Sequence, residues 1–484
     1  MGRSSGCHYI DGAFVASESA EQVDVLEKAT GAVMGTAAVG GAHEVDRAVA
    51  AAERSRHEWA AAPYTARAAV LRAAAAGIEG RSAELIDVIV RETGAIAAKA
   101  EYEVWAGASY LYQAAELAAR TGGEILPSAM PGKMNLVRRM PLGTVGIITP
   151  WNFPVVLGVY TLAPALAVGN AVVLKPAPDT PISGGQLLAE ILDDAGVPAG
   201  VFNVVTGEGD AVGEPLVTHA DVAMIHFTGS TAVGRRINML AAEQLKRVSL
   251  EMGGNNALLV LDDADPEHAA MIGAFAAFNY QGQTCITAGR HIVMSSVADA
   301  YTESLVRRAA GIPVGDPTDP NVGMGPIINQ RQLERAVSLL GSATTEGASV
   351  LQGGTHEGLF MAPTVLGGVS ADNTAFREEL FAPIAPITVV DTEEEALELV
   401  NRTDYGLVNS IVTGDPMRGL ALAERVHSGM VHVNDVTTLV EPNVPFGGIG
   451  LSGLGRPTGG SANLEHFTER QWISVARQPV EYPW

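Results

Sequence analysis

A cysteine thiolate is both a nucleophile and a metal ligand, and the chain ends the run Gln281-Gly282-Gln283-Thr284-Cys285 with one. A lone cysteine is usually a small buried hydrophobe. Cys285 instead follows a polar, glycine-containing stretch, a context that supports reactivity, whereas Cys7 has none and reads as incidental. Other reactive types stand in short strings: Trp151-Asn152-Phe153-Pro154, Lys175-Pro176, Phe227-Thr228-Gly229-Ser230-Thr231-Ala232-Val233-Gly234 and Glu251-Met252-Gly253-Gly254. Singly, each has an ordinary explanation. Asn152 suits a turn, Lys175 a strand end and Glu251 a helix-terminal carboxylate or a salt bridge. Gly229-Ser230-Thr231-x-x-Gly234 resembles many helix starts and is not the G-x-G-x-x-G dinucleotide fingerprint. Gly2-Arg3-Ser4-Ser5-Gly6 matches a nucleophile-elbow string but has no strand before it. His57-Glu58 begins a zinc motif that Ala61 breaks, and the 11 His and two distant Cys suggest no metal site.

These strings need a scaffold, and the sequence around them alternates. β-rich runs at Val145–Thr149, Ala171–Leu174, Val201–Val205, Val222–Phe227 and Ala257–Leu261 are separated by helical segments at 155–168, 181–195, 210–218 and 231–243. Pro181 falls at a helix start and Pro198 just past a helix end. Such alternation implies βαβ units, a parallel sheet and right-handed crossovers. Ligands bind beyond the carboxyl ends of such strands, where the strings fall. Residues 41–120 show helical periodicity, as in Val45–Ala61 and Tyr64–Gly77, and are expected to pack, not react. A second α/β region spans about 262–435, Gly447–Gly460 reads as loop, and the tail from Phe467 to Trp484 reads as an arm docked on a partner subunit or on its own chain. The run from Val145 to Leu174 has no charge and is long enough to cross a bilayer. Pro150, Pro154, Pro164, Gly146, Gly158 and Gly169 punctuate it, so a buried strand–turn–helix is the better reading.

The whole composition agrees. The 484 residues suggest about three domains, or two with elaborations. With 47% hydrophobic and 18% charged residues the chain is neither disordered nor fibrous. A net charge of −23 makes nucleic acid and anionic membranes poor partners. Cysteine usage fits a reducing cytoplasm, and the N-terminus, interrupted by Asp11 and Glu18, does not read as a signal peptide.

Taken in order, the strings resemble the aldehyde dehydrogenase superfamily over essentially the whole chain. The resemblance implies that Cys285 is the nucleophile, forming a thiohemiacetal and then a thioester. It implies that the Asn152 amide and the Cys285 backbone N–H stabilise the oxyanion, and that Glu251 is the general base for hydrolysis. It assigns the cofactor to Thr149, Pro150, Trp151, Lys175, Gly209, Phe227, Gly229, Ser230, Val233, Gly234 and Met252, with pyrophosphate at the helix start after Gly229. Glu379-Leu380-Phe381 resembles the segment that holds the nicotinamide ribose and ring, although Ala382 replaces the usual glycine. Pro178 stands where members that prefer NAD often carry a ribose-binding Glu, so NADP is expected to be tolerated beside NAD.

Within the superfamily, Asn135–Arg139, Val431–Asp435, Glu441–Gly448 and the ending from Phe467 resemble the aromatic aldehyde branch, such as benzaldehyde and vanillin dehydrogenases. Phe153, Leu157, Tyr160 and Phe446 match tunnel positions, where an apolar aromatic wall suits a planar ring; as plain core residues they would have no say in specificity. The resemblance implies a Rossmann-like cofactor domain (1–120 and 139–251), a catalytic α/β domain (252–435), a return loop at the cleft (436–460) and an oligomerisation arm (121–138 and 461–484) that makes a homodimer or homotetramer. Other readings are an aliphatic aldehyde or semialdehyde substrate, an acylating enzyme releasing its thioester to coenzyme A, an inactive homologue acting as a binding protein, and a cysteine hydrolase. The last lacks a recognisable His partner and leaves the nucleotide-site strings unexplained.

Overall fold

The uncharged run folds inside the protein. In the computed structural model, which describes residues 4–455 and 457–484, it forms the strand Thr144–Ile148, the helix Pro154–Ala167 and the strand Ala171–Lys175. Both strands are buried along their whole length, as continuous apolar runs in a parallel sheet must be. Pro154 opens the helix, where its missing N–H costs nothing. Among the described residues no helix is long and apolar enough to cross a membrane.

An eight-stranded sheet carries the first half of the site. Its central strands run in the spatial order Phe202–Val204, Ala171–Lys175, Thr144–Ile148, Val222–Gly229 and Arg247–Met252, all paired in parallel. The register puts Ile148 beside Lys175 and Phe227, and Thr228 beside Glu251. The carboxyl ends that carry the candidate residues are therefore level. The helices of the first hundred residues cover one face, burying Leu71, Ile78, Leu85, Ile89 and Leu111 completely. Each such side chain contributes roughly 1.5–3 kcal/mol.

A seven-stranded sheet carries the other half, with Ala288–Met294 and Asn256–Val260 near its centre. Helix Pro266–Phe278 leads from this sheet to the cysteine loop. A third sheet pairs Thr468–Ala476 with Lys133–Pro141 over nine residues and adds Glu124–Leu126. It leaves Ile125 (74%) and Trp472 (69%) facing outward.

Local structure differs from expectation in places. The helices expected at 181–195 and 210–218 each open with a wide π turn, Ile182–Gln186 and Gly209–Gly213, before regular helix at Leu187–Asp194 and Glu214–Thr218. At the first, Glu92 accepts the N–H groups of Ile182 and Ser183, at 2.8 Å each. Gly185 packs where a Cβ would lie 2.8 Å from the Pro176 ring. The stretch Gly447–Gly460, expected as loop, includes the short strand Gly453–Leu454, which closes the edge of the eight-stranded sheet against Glu251 and Leu250.

Candidate active site

The cysteine loop is held in an unusual backbone path. Tyr280, Gln281 and Gly282 have φ of +50°, +57° and +66°. Left-handed geometry costs a non-glycine residue about 1–2 kcal/mol, so other contacts must fix it. The Gln281 amide donates to the carbonyls of Gly94 (2.8 Å) and Pro326 (2.7 Å). The Gln283 side-chain oxygen accepts from the N–H of Ile328 at 3.0 Å. Gly282 admits no side chain, since a Cβ would lie 2.2 Å from the Ala382 carbonyl oxygen. The Asn256 amide donates to the carbonyls of Cys285 (2.8 Å) and Thr287 (2.7 Å). The polar residues around Cys285 thus serve as braces.

Opposite the loop, the Asn152 amide nitrogen donates to the Gln283 carbonyl at 3.0 Å. That bond uses one of its two N–H groups and leaves a second donor, in a residue that lines the same cleft as Cys285. The strand carrying Phe227 and Gly229 leads into helix Thr231–Ala242, whose Ser230 hydroxyl caps Val233 N–H at 3.5 Å. A Cβ at Gly229 would lie 2.5 Å from the Phe227 ring, and one at Gly234 would lie 2.4 Å from Met252 Sδ. The Glu379 carboxylate accepts from Gly254 N–H at 3.0 Å, and the Phe381 ring meets Trp151 edge-on at 5.6 Å. Phe381 has φ of +50°, in the region a glycine would favour.

Two cavities meet at the thiol. A cleft of 660 Å³ is lined by Thr149, Pro150, Trp151, Asn152, Phe227, Gly229, Ser230, Val233, Glu251, Met252, Cys285, Glu379 and Phe381. A narrower, largely apolar tunnel of 340 Å³ is lined by Phe153, Leu157, Tyr160, Phe446 and again Cys285. Tyr160 presents its ring to the tunnel while its hydroxyl donates to the carbonyls of Phe446 (3.1 Å) and Thr458 (2.7 Å).

Three residues implied for the cofactor lie outside the cleft lining. Gly234 packs beneath it against Met252. Lys175 is buried and donates to the Pro176 carbonyl at 3.1 Å. The glycine packed on its stem is Gly213, at 3.7 Å for a built Cβ, whereas Gly209 faces open space.

Other lining residues come from helices outside the reactive strings, one of them in the stretch 41–120 expected only to pack. Lys99, Tyr102 and Tyr110 from helix Ala97–Leu117, and Phe275 from the helix before the cysteine loop, all line the tunnel. The visible signal was three tyrosines, two of which line the tunnel, and a Lys99/Glu103 pair on an alanine-rich helix.

The electrostatics point one way. Burial pushes the Cys285 thiol up to about 12, and the nearby Glu379 and Glu251 carboxyls add to the rise. Burial also raises Glu251 well above the usual carboxylate range, against one backbone N–H from Gly448. Glu379 is pushed up to about 7 by burial, which Gly254 N–H and Arg335 partly offset. Three groups that become anionic share this site, and Arg235, Arg331 and Arg335 line the same cleft. The buried Thr149 hydroxyl, Asn152 Oδ1 and Glu251 Oε2 have no hydrogen-bond partner among the described residues. A cleft with a capped helix start, two aromatic rings and a buried carboxylate suits a dinucleotide.

The aldehyde dehydrogenase family model matches residues 14–473. Benzaldehyde dehydrogenase [NAD(+)] of Pseudomonas putida is 47% identical over 95% of this chain and 94% of its own length. Vanillin dehydrogenase of an Amycolatopsis species is 43% identical over the same shares. Among solved structures, lactaldehyde dehydrogenase from Escherichia coli superposes with a TM-score of 0.94 at 36% identity, covering 97% of this chain and 99% of that one. Betaine aldehyde dehydrogenase from Staphylococcus aureus, in complex with NAD+, reaches 0.97 at 29% identity, covering 99% and 97%. The chain therefore belongs to the aldehyde dehydrogenase family. It is an oxidoreductase with a Rossmann-like sheet domain and a second α/β catalytic domain.

Proposed function

We propose that the protein oxidises an aromatic aldehyde of the benzaldehyde type to its carboxylic acid with NAD, through a covalent thioester on Cys285. The observation that carries this reading is the position of Cys285 where the apolar tunnel opens into the cofactor-sized cleft. The benzaldehyde and vanillin activities of relatives 43–47% identical support the aromatic substrate.

The residues divide the work as follows. Cys285 attacks as its thiolate: Sγ bonds to the aldehyde carbon, the C=O π pair moves to oxygen, and the free N–H of Asn152 stabilises the negative charge there. The oxyanion then collapses, the carbon loses hydride, and a thioester remains on Sγ. When bound, NAD supplies the hydride acceptor, held by the Thr231 helix start, Glu379 and the Trp151 and Phe381 rings. Glu251 takes a proton from water whose oxygen attacks the thioester carbon; the C–S bond breaks and the acid departs. A glutamate able to activate water favours water over coenzyme A as the acceptor. We assign Lys175, whose ammonium burial pushes down to about 8, to the ribose hydroxyls by its resemblance to the family's strand-end lysine.

We also assign NADP tolerance. Pro178 offers no carboxylate, and neighbouring Asp179 is committed elsewhere, to Lys28 at 3.6 Å and the Asn329 amide at 3.2 Å. Residues 1–120 and 139–251 form the cofactor domain, 252–435 the catalytic domain and 436–460 the return loop. The arm of 121–138 and 461–484, with its outward Ile125 and Trp472, makes a homo-oligomer. Two unpaired cysteines support a cytoplasmic location. Purified protein with benzaldehyde and NAD should produce benzoate and reduced cofactor in equal amounts. Turnover of aliphatic aldehydes alone would refute the aromatic assignment.

A further inference from the structure

Helix Ala97–Leu117 carries a lysine and a glutamate four residues apart; both are buried, and Lys99 lines the tunnel. Lys99 Nζ bonds Glu103 Oε1. The same ammonium lies 4.4 Å from the centre of the Phe153 ring and 4.2 Å from that of Tyr280. The other oxygen of Glu103 accepts the N–H groups of Val155 (3.1 Å) and Val156 (3.3 Å), in the first turn of helix Pro154–Ala167. Phe153 is held further by Tyr280 and Tyr102, both edge-on, at 5.8 and 6.5 Å.

The pair thus touches three parts of the site at once. Phe153 is a tunnel wall and follows Asn152 in the chain. Tyr280 begins the strained turn that ends at Cys285. Val155 and Val156 start the helix behind Asn152. Burial opposes charge on both partners, while their contact and the two backbone N–H groups oppose that effect. Buried ion pairs contribute little stability, since apolar replacements of similar volume often do as well. Stability alone is a weak reason for one here, in a wall otherwise built of aromatic and aliphatic side chains.

We propose that Lys99 and Glu103 are positioning residues for the reaction: by pinning the Phe153 ring, the Tyr280 turn and the helix start together, they fix the angle at which a flat aromatic aldehyde meets Cys285. The pair does no chemistry on the substrate. A planar ring depends on a fixed aromatic wall, whereas a flexible aliphatic chain adapts to a loosened one. The proposal rests on the aldehyde dehydrogenase reading and adds the origin of its aromatic preference.

The test compares kcat/KM for benzaldehyde and for hexanal in the wild type, in Lys99→Met/Glu103→Gln, and in Lys99→Arg. The double variant keeps the volume and an oxygen for Val155 and Val156 but removes both charges. Its benzaldehyde-to-hexanal ratio is expected to fall about fivefold to tenfold, mostly through KM for benzaldehyde. Lys99→Arg, which keeps the cation over both rings, should hold the ratio near the wild-type value. A merely structural role would lower both activities together, and an unchanged ratio in the double variant would overturn the proposal. If thermal melting shows the double variant unfolded, Phe153→Leu replaces it, keeping the ion pair and removing the pinned ring. The same fall in ratio is expected there, and an unchanged ratio overturns the proposal. A wild type that turns over neither aldehyde removes the reading underneath, and the proposal falls with it.

Discussion

The Asn152 side chain donates to the backbone carbonyl of Gln283, two residues before Cys285, at 3.0 Å. One hydrogen bond therefore links the turn after the strand Thr144–Ile148 to the loop carrying the nucleophile. The amide is both a brace and a donor. Asn152→Ala should lower kcat by about 10²–10³ with little change in KM, because the lost interaction is made to charge present only in the transition state. Steady-state kinetics would check this, and a loss confined to KM would contradict it.

Glu251 should matter after the hydride has left. In Glu251→Gln, rapid mixing should show a first burst of about one reduced cofactor per active site, followed by steady turnover slower by about 10²–10⁴. A vanished burst would move Glu251 to the first chemical step. Because its carboxyl is raised, it acts as a base only once it has lost its proton. Steady turnover limited by thioester hydrolysis should therefore still climb with pH above the range where an ordinary carboxylate has already ionised.

The thiol of the cofactor-free protein is pushed up to about 12. Below that value the thiolate fraction grows about tenfold per pH unit. Alkylation of Cys285 by iodoacetamide should rise steadily between about pH 6 and 10, with Cys285→Ala as control. A plateau near pH 8 would show that burial and the neighbouring carboxyls do not hold the thiol up.

Much of this site was legible in the sequence because it depends on strand ends. Thr149, Phe227, Gly229 and Glu251 become neighbours through parallel register alone, and an alternating pattern of strands and helices dictates that register. The tunnel was only half visible. Phe153 and Tyr160 lie next to a reactive string, but Tyr102 and Tyr110 come from a helix some forty residues upstream, whose periodicity shows only that one face is buried, not what it faces. The braces Gln281 and Gln283 looked like loop polarity until their partners, Gly94, Pro326 and Ile328, were folded beside them. Lys175 and Gly209 show the converse, since a strand-end position did not bring either into the cleft lining.

Gly282 gives a sharp test of that loop. Alanine there must adopt φ near +66° and meet the Ala382 carbonyl at 2.2 Å. The backbone term alone is about 1–3 kcal/mol, and relief of the clash displaces Cys285. Gly282→Ala should lower kcat at least about tenfold even where the protein remains folded by thermal melting. Wild-type turnover would show that the loop tolerates movement.

Cofactor choice should follow residue 178. With proline there, KM for NADP should lie within about tenfold of that for NAD, and Pro178→Glu should raise the NADP value by about tenfold or more through repulsion of the 2′-phosphate. A wild-type NADP constant worse by orders of magnitude would mean that another group reads the ribose.

The most direct measurement of the central claim mixes the purified protein with benzaldehyde and NAD, follows absorbance of the reduced cofactor, and quantifies benzoate. Cys285→Ala and an aliphatic aldehyde run alongside. The predicted result is one benzoate per reduced cofactor, a clear preference for benzaldehyde, and no turnover in the variant. Turnover that survives Cys285→Ala, or a wild type inert toward both aldehydes, would contradict the account.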